Sequence, residues 1–439
     1  MTKSVWATKT MHCDGEPAST FEADTFDKEK PAPYVITDIL HAPYTYTSQS
    51  PPSSIVAYTY TSQPSSIVAQ FHITMAAHHC FGTGADERRR WLTPDKAAAL
   101  ESTVQSIAVA GKGISACDES GRTINPRFEK VGIESTEEMR WVYRETLFTA
   151  PGATDCLTAV ILDPETVFQQ DSKGVPFPEM LAKQGLIPGV KPSMTVYKLP
   201  GTAGETYMQG LDGLSERCAN YYAAGCRFAK WRSPLTIDVA AGTPSALAIE
   251  TNCRDQARYA LICQSEGLVP IVEPDLVLKG AHSLEDAVEI CSRVLGELVR
   301  GMQDYGVHLP GALLKTNLVN CGKDGEPQAS VEEIADANLR VLRRVLPVAI
   351  ASVNYLSGGL TLDRATAILS ALNKLKRERG GDKYAPWNLS FSWSSCIQLP
   401  LFDLCTSEEK DESGLPRLAI QKLYVENLCK ARAAALGGL

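Results

Sequence analysis

Three short apolar segments in the middle of the sequence carry charged residues: CRFAKWR at 226–232, LVPIVEP at 268–274 and ALLKTNL at 312–318. Between them, stretches 245–264 and 284–303 repeat apolar residues at the spacing of an amphipathic helix. Strand-length and helix-length segments that alternate in this way predict parallel strands joined by crossover helices.

The same alternation extends in both directions along the chain. Five further predicted strands are GISACD at 113–118, LTAVILD at 157–163, GVKPSM at 189–194, ASVNYLSG at 351–358 and NLSFSWS at 388–394. Further helices are predicted at 95–109, after a Thr93-Pro94 start signal, and at 331–346 and 361–377. Eight such repeats predict a closed (β/α)8 TIM barrel of the α/β class. An open doubly wound sheet is the alternative fold, disfavoured because no G-x-G-x-x-G follows the first strand.

Composition excludes several classes of protein. The chain of 439 residues is 44% hydrophobic and 21% charged, with a net charge of −8, so it has no general electrostatic reason to bind nucleic acid or a membrane surface. No apolar run reaches the length of a membrane span. The 13 cysteines contain no C-x-x-C pair, which favours free thiols in a reducing compartment.

Residues 1–90 differ from the rest of the chain. YTYTSQSPPSSIVA at 44–57 recurs as YTYTSQPSSIVA at 58–69, and this Ser-, Thr- and Pro-rich content is typical of an unpacked segment. We therefore expect an irregular N-terminal extension over 1–90 and the barrel over 91–439.

The extension could be a simple addition or a targeting segment. Alternatively, the start is misassigned and Met75 is the true first residue. Residues 1–30 contain six acidic groups and no Arg, contrary to the usual transit-peptide composition. His78-His79-Cys80 could in principle bind a metal ion, but no further ligands follow at helical spacing. We expect no metal and no cofactor.

Charged residues lie in or directly after five predicted strands. Strands of a parallel sheet are covered on both faces, and charges inside a barrel are costly unless paired. In this fold the chemistry takes place at the C-terminal ends of the strands. The sequence therefore predicts a site there with two acids and several cations. Its members are Asp118, Lys191, Lys230, Arg232, Glu273 and Lys315.

This mixture of charges suits catalysis by a lysine amine. Lys315 is a nucleophile only when neutral, and a nearby Lys230 in a desolvated pocket lowers its pKa towards that state. Glu273 can carry protons as a carbinolamine becomes an imine, and the protonated imine accepts electrons from the adjacent carbon–carbon bond without a metal. The remaining cations suit a phosphorylated substrate. They are Arg127, Lys191 and Arg232.

Two further observations narrow the chemistry. Residues 90–439 contain only two histidines, His282 and His308, which argues against a three-histidine zinc site or a Ser-His-Asp triad. Ser357-Gly358-Gly359 follows the seventh predicted strand, where glycine backbone N–H groups commonly hold phosphate in this fold.

Together these motifs resemble class I fructose-bisphosphate aldolase, the metal-free Schiff-base family. The resemblance runs from about Leu92 to Trp393. Its motifs, in order, are LTPDK, GKGISACDES, GLIPGVK, AKWR, GLVPIVEPD, LLKTNL and NYLSGG.

The resemblance implies a role for each matching residue. Lys315 matches the Schiff-base lysine, Glu273 the acid/base of imine formation, Asp118 the carboxylate that handles the substrate hydroxyl, and Lys230 the second active-site lysine. The positions that contact substrate around its distal phosphate are Ser120, Arg127, Lys191 and Arg232. The loop that holds the phosphate nearest the imine is Ser357, Gly358 and Gly359.

The family function would be reversible cleavage of fructose 1,6-bisphosphate, or a related ketose phosphate, to dihydroxyacetone phosphate and glyceraldehyde 3-phosphate. The family is usually a homotetramer in the cytoplasm, or plastidic in photosynthetic cells. An aldolase-like barrel with altered phosphate-site specificity, or with a mainly binding or scaffold role, is the alternative.

Three departures from the family pattern bear on that alternative. Where the family reads FSYGRAL or FSFGRAL, this chain reads FSWSSCI, so Ser395 replaces the arginine that clamps the phosphate near the imine. The family's DESTG reads DESGR, which adds Arg122 and could compensate. The mobile tail ending in tyrosine is absent and the last tyrosine is Tyr424, so slow turnover is expected.

Overall fold

The structure, a computed structural model, describes residues 91–277 and 279–439. The N-terminal extension, its repeat, Met75 and His78-His79-Cys80 lie outside the described residues. No helix among the described residues has both the length and the apolar content to cross a bilayer.

Eight parallel strands close into a barrel, as predicted, in the order β1-β10-β9-β8-β7-β6-β3-β2. The open doubly wound sheet is therefore wrong. The ten strands of the described chain are β1 (Gly113–Cys117), β2 (Leu157–Leu162), β3 (Ile187–Val190), β4 (Val196–Lys198), β5 (Thr206–Met208), β6 (Phe228–Thr236), β7 (Val269–Val277), β8 (Leu313–Leu314), β9 (Ser352–Tyr355) and β10 (Asn388–Trp393). β4 and β5 form a separate antiparallel hairpin that the sequence analysis did not predict.

Helices cover the outside of the barrel. They are α1 (Pro94–Ile107), α2 (Gly121–Lys130), α3 (Glu137–Phe148), α4 (Pro164–Val167), α5 (Phe177–Lys183), α6 (Leu214–Ala223), α7 (Ala246–Ser265), α8 (Leu284–Asp304), α9 (Val331–Val345), α10 (Leu362–Glu378), α11 (Ser395–Ser407) and α12 (Arg417–Ala435). Three single 3-10 turns lie at Ala153–Asp155, Leu309–Gly311 and Gly381–Lys383.

Side-chain caps explain where the predicted helices begin. The Thr93 hydroxyl accepts the Lys96 N–H at 3.2 Å, with Pro94 at the first helical position. Capping boxes begin α8 at Ser283 and α9 at Ser330, where a carboxylate three residues on bonds back to the cap.

The barrel interior is apolar towards the N-terminal ends of the strands. Ile114 and Ala116 of β1, Phe228 of β6 and Ile271 of β7 form one buried cluster with residues of α1, which closes that end. Because successive side chains of a strand point to opposite faces, the residues two positions further on also face inward. On these strands the next inward residues are charged, and they are Asp118, Lys230 and Glu273. Inside the barrel, a layer of charged side chains therefore lies on the C-terminal side of a layer of apolar side chains.

Candidate active site

Four buried charged groups meet at the C-terminal mouth of the barrel. Lys230 Nζ lies 2.7 Å from Asp118 Oδ2 and 3.2 Å from Glu273 Oε2. Lys315 Nζ lies 3.3 Å from Glu273 Oε1. Each of the four residues is at most 7% exposed. A chain of ion pairs, Asp118–Lys230–Glu273–Lys315, therefore links side chains that lie in or directly after four barrel strands, and we call it the lysine–carboxylate chain.

Within the lysine–carboxylate chain, the pKa values of the two lysines shift in opposite directions. Burial lowers the pKa of Lys315 below its ordinary value, and the positive charge of Lys230 adds to this, while Glu273 and Asp118 oppose it. Burial also acts against Lys230, but the carboxylates of Asp118 and Glu273 outweigh it and raise the pKa of Lys230. Lys230 therefore stays an ammonium ion, and Lys315 is the lysine that more readily becomes a neutral amine.

The carboxyl of Asp118 stays ionised. Burial would raise its pKa, but Lys230, then Lys191 and Lys315, lower it well below its ordinary value. Glu273 Oε2 is buried and, within the described residues, has no well-directed hydrogen bond despite its closeness to Lys230 Nζ. Such an oxygen can accept a proton or hydrogen bond from a bound molecule without breaking an existing one.

The predicted phosphate-binding cations also line the mouth, and each is paired with a carboxylate. Lys191 Nζ lies 3.2 Å from Asp163 Oδ2 and donates to the backbone carbonyl of Asp118. The other two pairs are Arg232–Asp275 at 2.6 Å and Arg127–Glu119 at 3.0 Å. Ser120 precedes α2 as its N-cap residue and leaves its hydroxyl without a capping bond. These pairs hold the cations in place before any substrate binds.

Those three carboxylates were not predicted from the sequence as site residues. Asp275 lies two residues after Glu273 and so faces the same way, which was a usable signal. Asp163 ends the second predicted strand, and Glu119 follows Asp118. Neither was recognised because their partners come from other elements, and the pairing depends on how the barrel closes.

The loop after β9 contains the residues predicted to bind phosphate. Gly358 and Gly359 have φ of 56° and 77°, the left-handed region that favours glycine. Ser357 is buried, and its hydroxyl oxygen lies 3.2 Å from that of Ser395. Ser394 donates to the carboxylate of Glu119. Of the two serines directly after β10, Ser395 therefore faces Ser357, and Ser394 is bound to Glu119.

The other two departures from the family pattern lie away from this loop. Arg122 Nη1 is 3.5 Å from Thr195 Oγ1, on the segment between β3 and β4. Tyr424 is buried within α12 and donates to the Ser115 hydroxyl at 2.6 Å. Tyr424 is thus part of the packing between α12 and β1. Among the described residues, no three His, Cys, Asp or Glu side chains are grouped to hold a metal ion.

A (β/α)8 barrel whose mouth holds a lysine of lowered pKa, a second lysine and two carboxylates has the groups that a barrel enzyme needs to form an imine on a lysine amine. The model of the class I fructose-bisphosphate aldolase family matches residues 99–418. The chain belongs to this glycolytic family, and it is therefore a lyase that acts on a sugar phosphate.

Individual relatives agree with this family. Fructose-bisphosphate aldolase 6, cytosolic, of Arabidopsis thaliana is 45% identical over 292 residues, 66% of this chain and 79% of the relative. Fructose-bisphosphate aldolase of Dictyostelium discoideum is 40% identical over 332 residues, 75% of this chain and 91% of the relative. The solved Plasmodium falciparum fructose-bisphosphate aldolase, in complex with TRAP and a small-molecule inhibitor, matches with a TM-score of 0.74 and 37% identity. It covers 79% of this chain and 96% of its own.

Proposed function

We propose that this chain reversibly cleaves fructose 1,6-bisphosphate, or a related ketose phosphate, through an imine on Lys315. The products are dihydroxyacetone phosphate and an aldehyde. With fructose 1,6-bisphosphate as substrate, the aldehyde is glyceraldehyde 3-phosphate. The observation that carries the proposal is the lysine–carboxylate chain, in which a lysine of lowered pKa lies 3.3 Å from a buried carboxylate. Amine attack on a carbonyl needs a neutral nucleophile and an adjacent proton carrier, and this pair supplies both.

Imine formation uses Lys315 and Glu273. The neutral amine attacks the ketose carbonyl carbon, the carbonyl oxygen takes up a proton from solvent, and Glu273 removes a proton from the nitrogen, which gives a neutral carbinolamine. Glu273 then protonates the departing hydroxyl, which leaves as water, and the nitrogen lone pair forms the carbon–nitrogen double bond. Glu273 lies within reach of the amine through Oε1, and its Oε2 is available to exchange protons with the departing oxygen.

Bond cleavage uses Asp118 and Lys230. Asp118 takes the proton of the hydroxyl on the far side of the bond to be cleaved, and that oxygen forms the aldehyde carbonyl as the carbon–carbon bond breaks. The bonding electrons move to the protonated imine and leave an enamine. The lowered pKa of Asp118 keeps it a carboxylate able to accept this proton, and Lys230 holds it at 2.7 Å. Protonation of the enamine and hydrolysis of the imine release dihydroxyacetone phosphate and restore Lys315.

The remaining residues of the mouth bind phosphate. Around the distal phosphate we assign Ser120, Arg127, Lys191 and Arg232. Near the imine we assign Ser357, Gly358 and Gly359. Because Asp163, Glu119 and Asp275 already pair with the cations, an arriving phosphate shares each cation with a carboxylate. This sharing weakens the attraction for phosphate but keeps the cations oriented for it.

We extend the proposal to a homotetramer located in the cytoplasm. The location is supported by relatives that are named as cytosolic, and a plastid location would require that the N-terminal extension act as a targeting segment. Sedimentation velocity would test the assembly, and imaging of the tagged full-length chain would test the location.

Borohydride trapping tests the imine on Lys315. Wild-type protein incubated with fructose 1,6-bisphosphate or dihydroxyacetone phosphate and then reduced should carry the adduct mass on the peptide that contains Lys315. Lys315→Met should carry none. Lys112→Met is the matched control, because Lys112 lies at the N-terminal end of the barrel, where its Nζ donates to the Thr154 carbonyl at 2.8 Å. A folded wild-type protein that traps no ketose phosphate would contradict the proposal.

A further inference from the structure

An exposed lysine lies directly against the glycine loop after β9. Lys323 belongs to the segment that joins β8 to α9, and its Nζ is 3.4 Å from the carbonyl oxygen of Gly359. A Cβ atom built on Gly359 would stand 3.1 Å from the same Nζ. Among the described residues, Lys323 forms no ion pair with a carboxylate. A cation without such a partner therefore borders this loop.

The loops after β9 and β10 supply hydrogen-bond donors but contain no lysine or arginine of their own, and Ser394 donates to the carboxylate of Glu119. The hydroxyls of Ser357 and Ser395 face each other at 3.2 Å. The loop after β9 also contains two left-handed glycines, which have no side chain to block an anion from their backbone N–H groups. Ser395 also begins α11, and the first N–H groups of a helix have no partner within the helix. A phosphate bound there would have several donors and would lack only a counter-charge.

Two other cations of the mouth have partners of their own. Arg127 is paired with Glu119 at 3.0 Å. Arg122 contacts Thr195, which follows β3. In one direction around the barrel, β2, β1 and β10 lie between β3 and β9. In the other direction β6, β7 and β8 intervene. Lys323 follows β8, the direct neighbour of β9.

We propose that Lys323 binds the phosphate group nearest the imine and so supplies the positive charge that Ser395 does not. This assignment rests on the proposed function, since it presumes an imine on Lys315. Lys323, on the segment after β8, borders the glycine loop from the β8 side, whereas Ser395, after β10, borders it from the β10 side. The same anion would therefore be neutralised from the opposite wall of one pocket.

The test compares trapping of dihydroxyacetone phosphate with trapping of dihydroxyacetone, which lacks the phosphate. In Lys323→Met the half-saturating concentration of dihydroxyacetone phosphate should rise about tenfold, the lower end for a lost charge-assisted hydrogen bond, and that of dihydroxyacetone should not change. Lys323→Arg keeps the positive charge and should have the wild-type half-saturating concentration of dihydroxyacetone phosphate. Adding Ser395→Arg to Lys323→Met should bring this concentration most of the way back to the wild-type value. Added salt should reduce the difference, because an exposed charge is screened.

Lys183→Met is the matched control, since it removes one exposed positive charge on α5, where Lys183 pairs with Glu179. It should leave both half-saturating concentrations unchanged. An unchanged dependence on dihydroxyacetone phosphate in Lys323→Met, or an equal rise for both ketones, would overturn the assignment of Lys323 alone. Failure of the wild-type protein to form any Lys315 adduct would overturn the proposed function and this assignment with it.

Discussion

The two sides of the barrel mouth carry charge in different ways. On one side the lysine–carboxylate chain is buried, and each of its members contacts a group of opposite charge. On the other side, the loops after β9 and β10 offer the hydroxyls of Ser357 and Ser395 and two glycines, bordered by the exposed Lys323.

This difference shows which part of the site is free to change. A buried charge that loses its partner costs several kcal/mol, so members of the lysine–carboxylate chain can only be exchanged together. A partly exposed anion pocket has no such constraint, because solvent screens its charges. The arginine of the family pattern can therefore be absent at Ser395 while the imine-forming residues keep their arrangement.

The largest expected effect comes from removing the proton carrier on the buried side. Glu273→Gln keeps the size of the side chain but cannot exchange protons, so kcat should fall by about 10²- to 10⁴-fold. The Lys315 adduct should still form, more slowly, because the amine remains. Steady-state cleavage rates and the time course of borohydride trapping measure the two effects.

Glu145→Gln is the control for loss of a buried carboxylate. Glu145 is 2% exposed and pairs with Arg417 at 3.2 Å, on α3 outside the mouth. It should keep full activity even if it lowers the melting temperature. A Glu273→Gln variant as active as Glu145→Gln would show that another group carries the proton.

A second expectation concerns pH. The ammonium ion of Lys230 disfavours the charged form of Lys315, so Lys230→Met should raise the pKa of Lys315. The neutral amine would then appear only at higher pH, and the rising limb of the trapping rate should move up by about one pH unit or more. The other charged groups facing Lys315, Glu273 on β7 and Asp118 after β1, act in the same direction once Lys230 is gone.

The measurement is the pH dependence of the trapping rate, because Lys230→Met also lacks a group used in cleavage. Lys230→Arg preserves the positive charge and should leave the limb where it is in the wild-type protein. A limb that stays in place, or moves to lower pH, in Lys230→Met would show that the charge of Lys230 does not lower the pKa of Lys315.

The buried side of the mouth was largely visible in the sequence. A charged residue inside an apolar strand is conspicuous, and alternation along β6, β7 and β8 places Lys230, Glu273 and Lys315 on the inner face. All eight barrel strands were also predicted, because each is a short apolar run between helices.

The side of the mouth formed by the loops after β9 and β10 was less visible in the sequence. Lys323 lies in a segment without regular structure, and its contact with Gly359 depends on the path of that segment over the neighbouring strand. The β4–β5 hairpin was missed because its first strand is exposed on both faces and so lacks the apolar pattern of a barrel strand. Local sequence carries no record of such contacts between loops.

The smallest expected effect tests whether Arg122 compensates for Ser395. Because Arg122 contacts Thr195 after β3, it lies on the side of the mouth assigned to the distal phosphate. Arg122→Ala should therefore leave the KM for fructose 1-phosphate, which lacks that phosphate, within about twofold of wild type. The KM for fructose 1,6-bisphosphate should rise by no more than about fivefold, since an exposed charge pair contributes under about 1 kcal/mol. Arg122→Lys should behave as wild type with both substrates. A rise in KM for fructose 1-phosphate as large as that caused by Lys323→Met would mean that Arg122 reaches the phosphate near the imine, and the counter-charge would then come from the β1 side of the barrel.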